Sequence, residues 1–408
     1  MVQSSLGTAK RSWPIVKFGD MAQNVAVRVD PAETDAEVYV GLEHLDPECL
    51  QIRRWGTPED VIGQKLAFKK GDIIFGRRRA YQRKLAVADF DGICSAHAMV
   101  VRAKPKVVLP EFLPFLMQSD LFMNRAVAIS VGSLSPTINW KTLKVQEFPL
   151  PPLKEQKRLA ELLWAAEESL RAFTSVESQL RRTWRVALAQ AMHDGLGAES
   201  RGLTKTAANG RWKIKRVREA GDVQLGRQRA PKYQSGRWTH PYLRVANVFD
   251  GYFDFSDVLS MDFDESDYRT YHLQPGDILL NEGQSRELVG RCALYGGQID
   301  GCCFQNTLVR FRAGDGLLPE FAFAYFRYLF YRGTYAAIAT QTTSIAHLGS
   351  DNFGKLYMPV PPIQEQRAIV TRLQEVGAAT ASCTTHVGIF RQVKELLLRL
   401  TTEGKSHE

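Results

Sequence analysis

The sequence predicts an α+β fold: two repeated strand-rich domains joined by two long antiparallel coiled-coil helices about a pseudo-twofold axis. Three observations predict it. The stretch Leu150-Pro-Pro-Leu-Lys-Glu-Gln156 recurs as Val360-Pro-Pro-Ile-Gln-Glu-Gln366, 210 residues further on. A long heptad pattern follows each copy, and the landmarks before the first copy return in the same order before the second. The period is far longer than that of solenoid repeats, so the chain reads as one domain-plus-helix unit present twice. The expected segments are a first domain at 1–150, a first helix at 151–194, a linker at 195–210, a second domain at 211–358 and a second helix at 359–404.

In the first domain, short β-type runs (Glu37–Val40, Asp72–Phe75, Leu85–Ala88, Ala98–Val101) alternate with Gly and Pro turns. Pro110 to Ala128 has a helical pattern in which Phe112, Phe115, Leu116, Phe122 and Met123 share one face. A polar stretch, Gly132-Ser-Leu-Ser-Pro-Thr137, precedes a last strand that ends at Phe148. Two prolines with fixed φ then end the extended segment, and Glu-Gln suits the donor-rich first turn of a helix. The heptad positions Leu159, Leu163, Ala166, Leu170, Phe173, Leu180, Trp184 and Ala187 follow, with Glu177 as a break. His193-Asp-Gly-Leu-Gly197 stops the helix, and Ala198 to Gly210 is small and polar, as a linker is.

From Trp212 the order restarts. Gly19-Asp20 is matched by Gly221-Asp222, Gly71-Asp-Ile73 by Gly276-Asp-Ile278, Asp91-Gly92 by Asp300-Gly301 and Leu109-Pro-Glu-Phe112 by Leu318-Pro-Glu-Phe321. The second heptad run places Ile369, Leu373, Val376, Thr380, Cys383, Val387, Phe390 and Leu397 in register, with Lys394 as a polar interruption. Each helix is about 40 residues, roughly 60 Å long. Narrow seams of this kind need a partner, and the nearest is the other copy.

Composition sets bounds. The formal net charge of +9 over 408 residues favours a polyanionic partner, most simply nucleic acid. The six cysteines (Cys49, Cys94, Cys292, Cys302, Cys303, Cys383) make no Cys-x-x-Cys pair and no grouping with His, so no zinc site or disulfide framework is expected. No apolar run reaches the roughly 18 residues of a membrane span and Met1 to Phe18 is mixed and polar, so the expected location is cytoplasmic, away from membranes. Catalysis has no visible carrier. Both Pro-Pro pairs lack the Asn or Asp before them and the aromatic after them that base methylation uses. Gly349-Ser-Asp-Asn-Phe-Gly-Lys-Leu356 puts Leu356 where a phosphate loop needs Ser or Thr, and a strand is expected after it. The carboxylates and histidines form no readable acid–base pair.

The doubled unit, the two Pro-Pro-Leu/Ile-x-Glu-Gln turns, the paired Gly-Asp-Ile turns and the Trp13 and Trp212 openings resemble the specificity subunit of type I restriction–modification enzymes, over nearly the whole chain. The resemblance implies that each domain is a target-recognition domain reading half of a bipartite sequence in double-stranded DNA. It also implies that the two helices pair antiparallel, set the spacing and dock two methyltransferase subunits. Those subunits would bind S-adenosylmethionine, this chain would hold no cofactor or metal, and separate motor subunits would cut. Two other readings stay open: a self-contained modification or restriction enzyme with unrecognised chemistry, and a coiled-coil adaptor.

Side chains that read DNA must reach base edges and phosphates, so polar basic loops are the candidates. Gly76 to Lys84 reads as a hairpin tip, offering Arg77, Arg78, Arg79, Tyr81, Gln82, Arg83 and Lys84. Its counterpart in the second domain offers Gln284, Ser285 and Arg286. A second basic-aromatic loop there carries Arg227, Gln228, Arg229, Lys232 and Tyr233, with Trp238 and His240 close behind. Arg53-Arg-Trp55 is a weaker candidate. Ser133 and Ser135, and Thr342 and Thr343, occupy matching stretches where hydroxyls either hold phosphates or cap turns. The helix-pair and subunit-docking candidates are Leu163, Leu170, Phe173, Leu180, Trp184, Leu373, Val376, Val387, Phe390 and Leu397.

Overall fold

The computed structural model describes residues 13–196, 212–230, 233–341 and 345–403. Residues 197–210 of the expected linker lie outside these. The chain divides into two compact units, one holding residues up to Ser175 and those from Cys383, the other Val176–Ser382. The long helices run Leu153–Leu196 and Ile363–Glu403, so each contributes one half to each unit.

The first unit is built on an antiparallel sheet of Ala22–Val25, Met99–Ala103, Ile73–Phe75 and Leu85–Val87, in that spatial order. Three of its strands, Met99–Ala103, Ile73–Phe75 and Leu85–Val87, are largely apolar without alternation because both faces are covered there. Ile73 and Phe75 join the core beneath the helices, while Ile74 between them joins a second core with Val40, Phe68 and Val100. A second sheet (Arg28–Val29, Lys65–Phe68, Gly92–Cys94, Tyr39–Val40) closes that second core, its last pair running parallel. Ile15–Lys17 pairs with Glu147–Pro149 immediately before the long helix.

The second unit repeats this plan. Gly221–Leu225, Leu308–Ala313, Ile278–Asn281 and Cys292–Leu294 form the central sheet, and Lys213–Arg216 pairs with Tyr357–Val360. Thr239–Leu243 runs parallel to Cys303–Phe304 and antiparallel to Leu259–Asp262. Cys94, Cys292, Cys302 and Cys303 are buried, Cys49 and Cys383 are half-buried, and all six are free thiols.

Two buried polar contacts explain the doubled motifs. In the Gly-Asp-Ile turns, Asp72 is paired by Arg102 through Nε (2.6 Å) and Nη2 (2.8 Å), and Asp277 by Arg312 at 2.6 and 2.7 Å. Each carboxylate also accepts from the turn backbone, at Lys69 N and Gln274 N. Bidentate, charge-assisted pairs of this kind are the strong ones. The Gln ending each Pro-Pro motif is buried as well. Gln156 accepts from Leu109 N (2.8 Å) and donates to Val107 O (3.2 Å) and Pro151 O (2.8 Å); Gln366 accepts from Leu318 N and donates to Gly316 O and Pro361 O, all at 2.8 Å.

The helical pattern from Pro110 to Ala128 is two helices, Leu113–Gln118 and Asp120–Ala128, with the expected apolar face buried. Ser119 breaks it by taking an extended ψ of 150° and capping the second helix through its hydroxyl. In the second unit the break falls later, at Gly333, whose φ of 70° suits glycine, between Pro319–Tyr331 and Thr334–Ile338. The stretch Ser350–Lys355 is itself a short helix, and the strand Tyr357–Val360 follows it as expected.

Within each unit the helix halves run antiparallel. In the first, Glu167 meets Lys394 and Phe173 stacks on His386 and Phe390. In the second, Trp184 Nε1 donates to Leu373 O at 3.1 Å. None of the ten candidate seam residues is exposed. The interruption at Lys394 is an anchor and not a defect. Its ammonium is buried, lies 2.6 Å from Glu167 Oε2 and donates to Glu48 O at 3.0 Å, while Glu167 Oε1 accepts from Leu50 N.

Gln156→Leu or Gln366→Leu leaves one buried amide and two carbonyls without partners. The expected loss is about 2–4 kcal/mol. Urea denaturation checks it: the transition of the affected unit falls while that of the other unit stays in place.

Candidate nucleic-acid interface

In the first unit the tip grows directly out of the central sheet. Gly76 N donates to Lys84 O at 2.9 Å, which closes the hairpin, and a short turn at Ala80–Gln82 lies between Arg79 and Arg83. Both arginines take the left-handed conformation, with φ of 58° and 53°. Residues without glycine's freedom hold this geometry only where the surroundings dictate it. Here Arg79 N donates to Pro136 O (2.8 Å), Ile138 N to Arg77 O (3.0 Å), and Arg83 N to Ala80 O (2.9 Å). The tip is thereby stitched to the polar stretch at 131–137, and the structure unites two candidates far apart in sequence.

The guanidiniums of the tip are oriented by neighbours. Arg77 Nη2 donates to Ala96 O at 3.0 Å, Arg78 Nη1 lies 3.2 Å from His97 Nε2, and Arg79 Nη2 donates to Ser135 Oγ at 3.3 Å. Tyr81 and Ser133 are exposed, and Gln82 and Ser135 half-buried. Arg83 and Lys84 behave differently. Arg83 pairs with Glu48 (3.1 Å) and Asp120 (2.9 Å) and donates to Gln118 O, and Lys84 Nζ donates to Leu42 O at 2.7 Å. These two side chains hold the tip to its domain. Arg53 and Arg54 likewise both pair with Asp46, at 2.7 and 2.8 Å, beside the exposed Trp55.

In the second unit the corresponding segment Gly283–Gln284 pairs with Ala346–His347, which pairs with Thr340–Gln341. Again the tip and the stretch before the last strand come together. Ser285 O accepts from Leu288 N and Val289 N, which turns the chain and leaves Arg286 exposed, and Gln284 Oε1 accepts from Ser285 N. His347 Nδ1 lies 3.1 Å from Glu282 Oε2. Thr342, Thr343 and Lys232 lie outside the described residues.

Of the basic-aromatic loop, Gln228 and Arg229 are exposed, but Arg227 faces inward. Its guanidinium is buried, pairs with Asp267, donates to Asp262 O and lies 3.8 Å from the centre of the Tyr233 ring. Asp262 organises the rest of the loop by accepting from Ser235 Oγ (2.6 Å), Gly236 N (3.0 Å), Trp238 N (3.2 Å) and Thr239 Oγ1 (3.2 Å). The Ser235 hydroxyl first, then the Trp238 and Gly236 amides, outweigh desolvation and hold its pKa down to about 2.

Sequence reasoning passed over one loop in each unit. Ser95 to His97 lies beside the first tip, and Gln305 to Thr307 takes the same place in the second, where Arg227 bridges Gln305 and Glu282 N donates to Thr307 O. The signal was available, since the loops follow the matched Asp-Gly landmarks by three and four residues. Burial, then the charges of Arg78, Arg77 and Lys65, lower the pKa of His97. Arg77 and Arg78 thus stand beside His97 at the edge of the tip.

The chain is a tandem pair of strand-rich modules, each presenting a polar tip stitched to the stretch before its last strand. The chain belongs to the type I restriction modification DNA specificity domain family, whose model matches residues 62–174 and 210–387. It is 25% identical over 357 residues to the type I restriction enzyme EcoKI specificity subunit of Escherichia coli K12, over 86% of this chain and 73% of that one. Two solved structures share the fold. The S subunit of a type I restriction-modification system from M. genitalium aligns over 99% of both chains with a TM-score of 0.61 and 13% identity. A chain of a type I R-M system solved in a study of its assembly aligns over 96% of this chain and 97% of its own, with a TM-score of 0.56 and 22% identity.

Because the pKa of Asp262 is depressed in the folded state, its contribution to holding the loop is complete above pH ~4 and is lost as pH falls through about 2. Asp262→Asn removes the charged acceptor at every pH. Faster exchange of the Trp238 amide at neutral pH, with the central-sheet amides unchanged, is the expected result by hydrogen exchange.

Proposed function

We propose that this chain is the DNA sequence-recognition subunit of a type I restriction–modification complex, acting in the cytoplasm without catalysis of its own. The observation that carries the reading is a repeated internal framework bearing different tips. Asp72–Arg102 and Gln156 are matched by Asp277–Arg312 and Gln366, whereas Arg77-Arg-Arg79 stands where the other copy has Gly283-Gln284. A constant scaffold with divergent contact loops is what reading two different half-sites demands.

In this reading each unit reads one half of a bipartite target, and the helix pair sets the gap. Half-sites on one face of the duplex stand about one helical turn, ~34 Å, apart. Arg77, Arg78, Arg79, Tyr81, Gln82, Ser133 and Ser135 serve one half-site; Gln228, Arg229, Gln284, Ser285 and Arg286 serve the other. Phosphate contacts supply salt-dependent affinity and tip side chains supply sequence choice. Arg83, Lys84 and Arg227 position the loops without touching DNA.

Two methyltransferase subunits, carrying the S-adenosylmethionine, are placed on an adenine in each half, and restriction subunits join the same assembly. The seam residues are covered by the other helix and by the domains, as Leu163 and Trp184 are. Docking therefore falls to the exposed aliphatics of the long helices, Leu162, Val176, Val186, Ile389, Val393 and Leu396. Among the described residues no helix is long and apolar enough to cross a membrane.

Co-expression with its methyltransferase subunit and mapping of modified adenines in host DNA tests the reading. One bipartite motif is expected; absence of new methylation by an intact complex overturns it. Replacing Arg77, Arg78 and Arg79 by Ala should relax or weaken one half-site only and lower the salt slope by about one for each phosphate that is no longer neutralised. Unchanged methylation of every site would remove these residues from the interface.

A further inference from the structure

The polar stretch in the first unit exposes two aliphatic side chains at its end. Leu134 is 90% exposed and Val131 69%. A lone exposed apolar residue is ordinary on a protein surface. These two lie on a loop that is pinned at several points. Val131 N donates to Thr137 O and Thr137 N to Val131 O, at 3.1 and 2.9 Å, so the loop is closed on itself. Thr137 also bridges Arg78, Pro136 O accepts from Arg79 N, and Ser135 Oγ accepts from Arg79 Nη2. The aliphatic tip thus sits beside three arginines, with Ser133 and Ser135 on either side of Leu134. In the second unit the loop between Thr340–Gln341 and Ala346–His347 also exposes an aliphatic residue, Ile345, at 46%.

We propose that Leu134 is a wedge that enters a base step of the half-site read by the first unit, with Arg77, Arg78 and Arg79 on the phosphates that flank it. The inference rests on the recognition reading above and deepens it. Proteins that bend DNA insert apolar side chains between base pairs, and the unstacking is offset when cations hold the flanking backbone. A tip of this kind needs a rigid base, since a loose loop would yield before the stack opens. The backbone bonds at Val131, Thr137 and Arg79 supply that base. Val131 stands at the foot of the loop, where it covers the opened step from one side.

The wedge also reads sequence without base-edge hydrogen bonds. Pyrimidine–purine steps open most easily, so the first half-site should contain one at the position Leu134 enters. Preference at that step then comes from deformability, the arginines hold the backbone on either side, and the Tyr81–Gln82 turn reads the neighbouring positions.

The test uses the full chain in complex with its methyltransferase subunits. Duplexes carry the mapped bipartite target with 2-aminopurine at each position of the first half-site in turn. Fluorescence should rise on binding at one step. Leu134→Ala should abolish that rise and weaken binding on the order of tenfold, the size of the penalty for one mismatched base pair, whereas Leu134→Met should keep both. Because the side chain is solvent-exposed, the thermal transition of Leu134→Ala should match the parent, which separates a missing wedge from a damaged fold. A complex that binds its target with flat fluorescence, or a rise that persists in Leu134→Ala, overturns the wedge alone. A complex that binds no duplex overturns the recognition reading itself.

Discussion

Everything outside the tips depends on how each domain is fastened to the helix that follows it, and a buried glutamine does the fastening. A carboxamide is suited to the task because it accepts and donates at once. Gln156 receives the amide of Leu109 and gives its own protons to Val107 and Pro151, so the turn before the domain's helices and the turn before the long helix share one side chain. Glutamate would lack the donors and leucine would leave all three backbone groups unsatisfied in an apolar core. The same three bonds around Gln366 fix the second copy. The prolines make the arrangement possible: without amide protons they need no partner where the chain leaves the last strand, and their carbonyls (Pro151, Pro361) remain free to accept.

From that joint the architecture works outward to the reading surface. The central sheet of each unit is covered on both faces, so its strand ends are among the most fixed points in the domain. The tips begin at those ends. Arg79 and Arg83 hold left-handed conformations because Pro136 and the Ala80 carbonyl bind them there, which spends stability on shape at the point where shape matters. The second unit reaches the same end with different material, a small three-stranded sheet. Framework and tip are separable in this design, so tips can diverge while Asp72–Arg102 and its counterpart persist.

The repeat, the long helices and several central strands were legible in the sequence because they rest on periodicity and on landmarks that recur. The division of labour among the basic residues was not. Arg77 and Arg83 are indistinguishable as letters in one arginine-rich tip, yet Arg83 is bound by Glu48 and Asp120, both distant in sequence. Arg227 looks like a loop cation and is buried because Asp267 and the Asp262 carbonyl reach it across the fold. Composition reveals that a residue wants a partner; only the fold reveals whether the partner is protein or left to a ligand. The outer side of the helices was hidden for a related reason. A heptad pattern marks the stripe that is already covered, so Leu162 or Leu396, outside the stripe and exposed, carries no periodic signal.

Lys394 shows where such reasoning gains from being pressed. In a seam of aliphatic and aromatic side chains a lysine reads as a weak point, and burying its charge is indeed expensive unless a counter-charge is in place. Glu167 on the facing helix and the Glu48 carbonyl supply it. The pair adds little net stability over a well-packed apolar alternative, but it acts on the competing states. Sliding one helix past the other by a heptad would keep apolar residues in contact with apolar residues and leave both charges buried and alone, a penalty that hydrophobic packing has no means to impose. The polar interruption therefore selects one register from several that the heptads alone would tolerate. A helix pair that sets the gap between half-sites, as proposed above, has more need of a single register than of the last increment of stability.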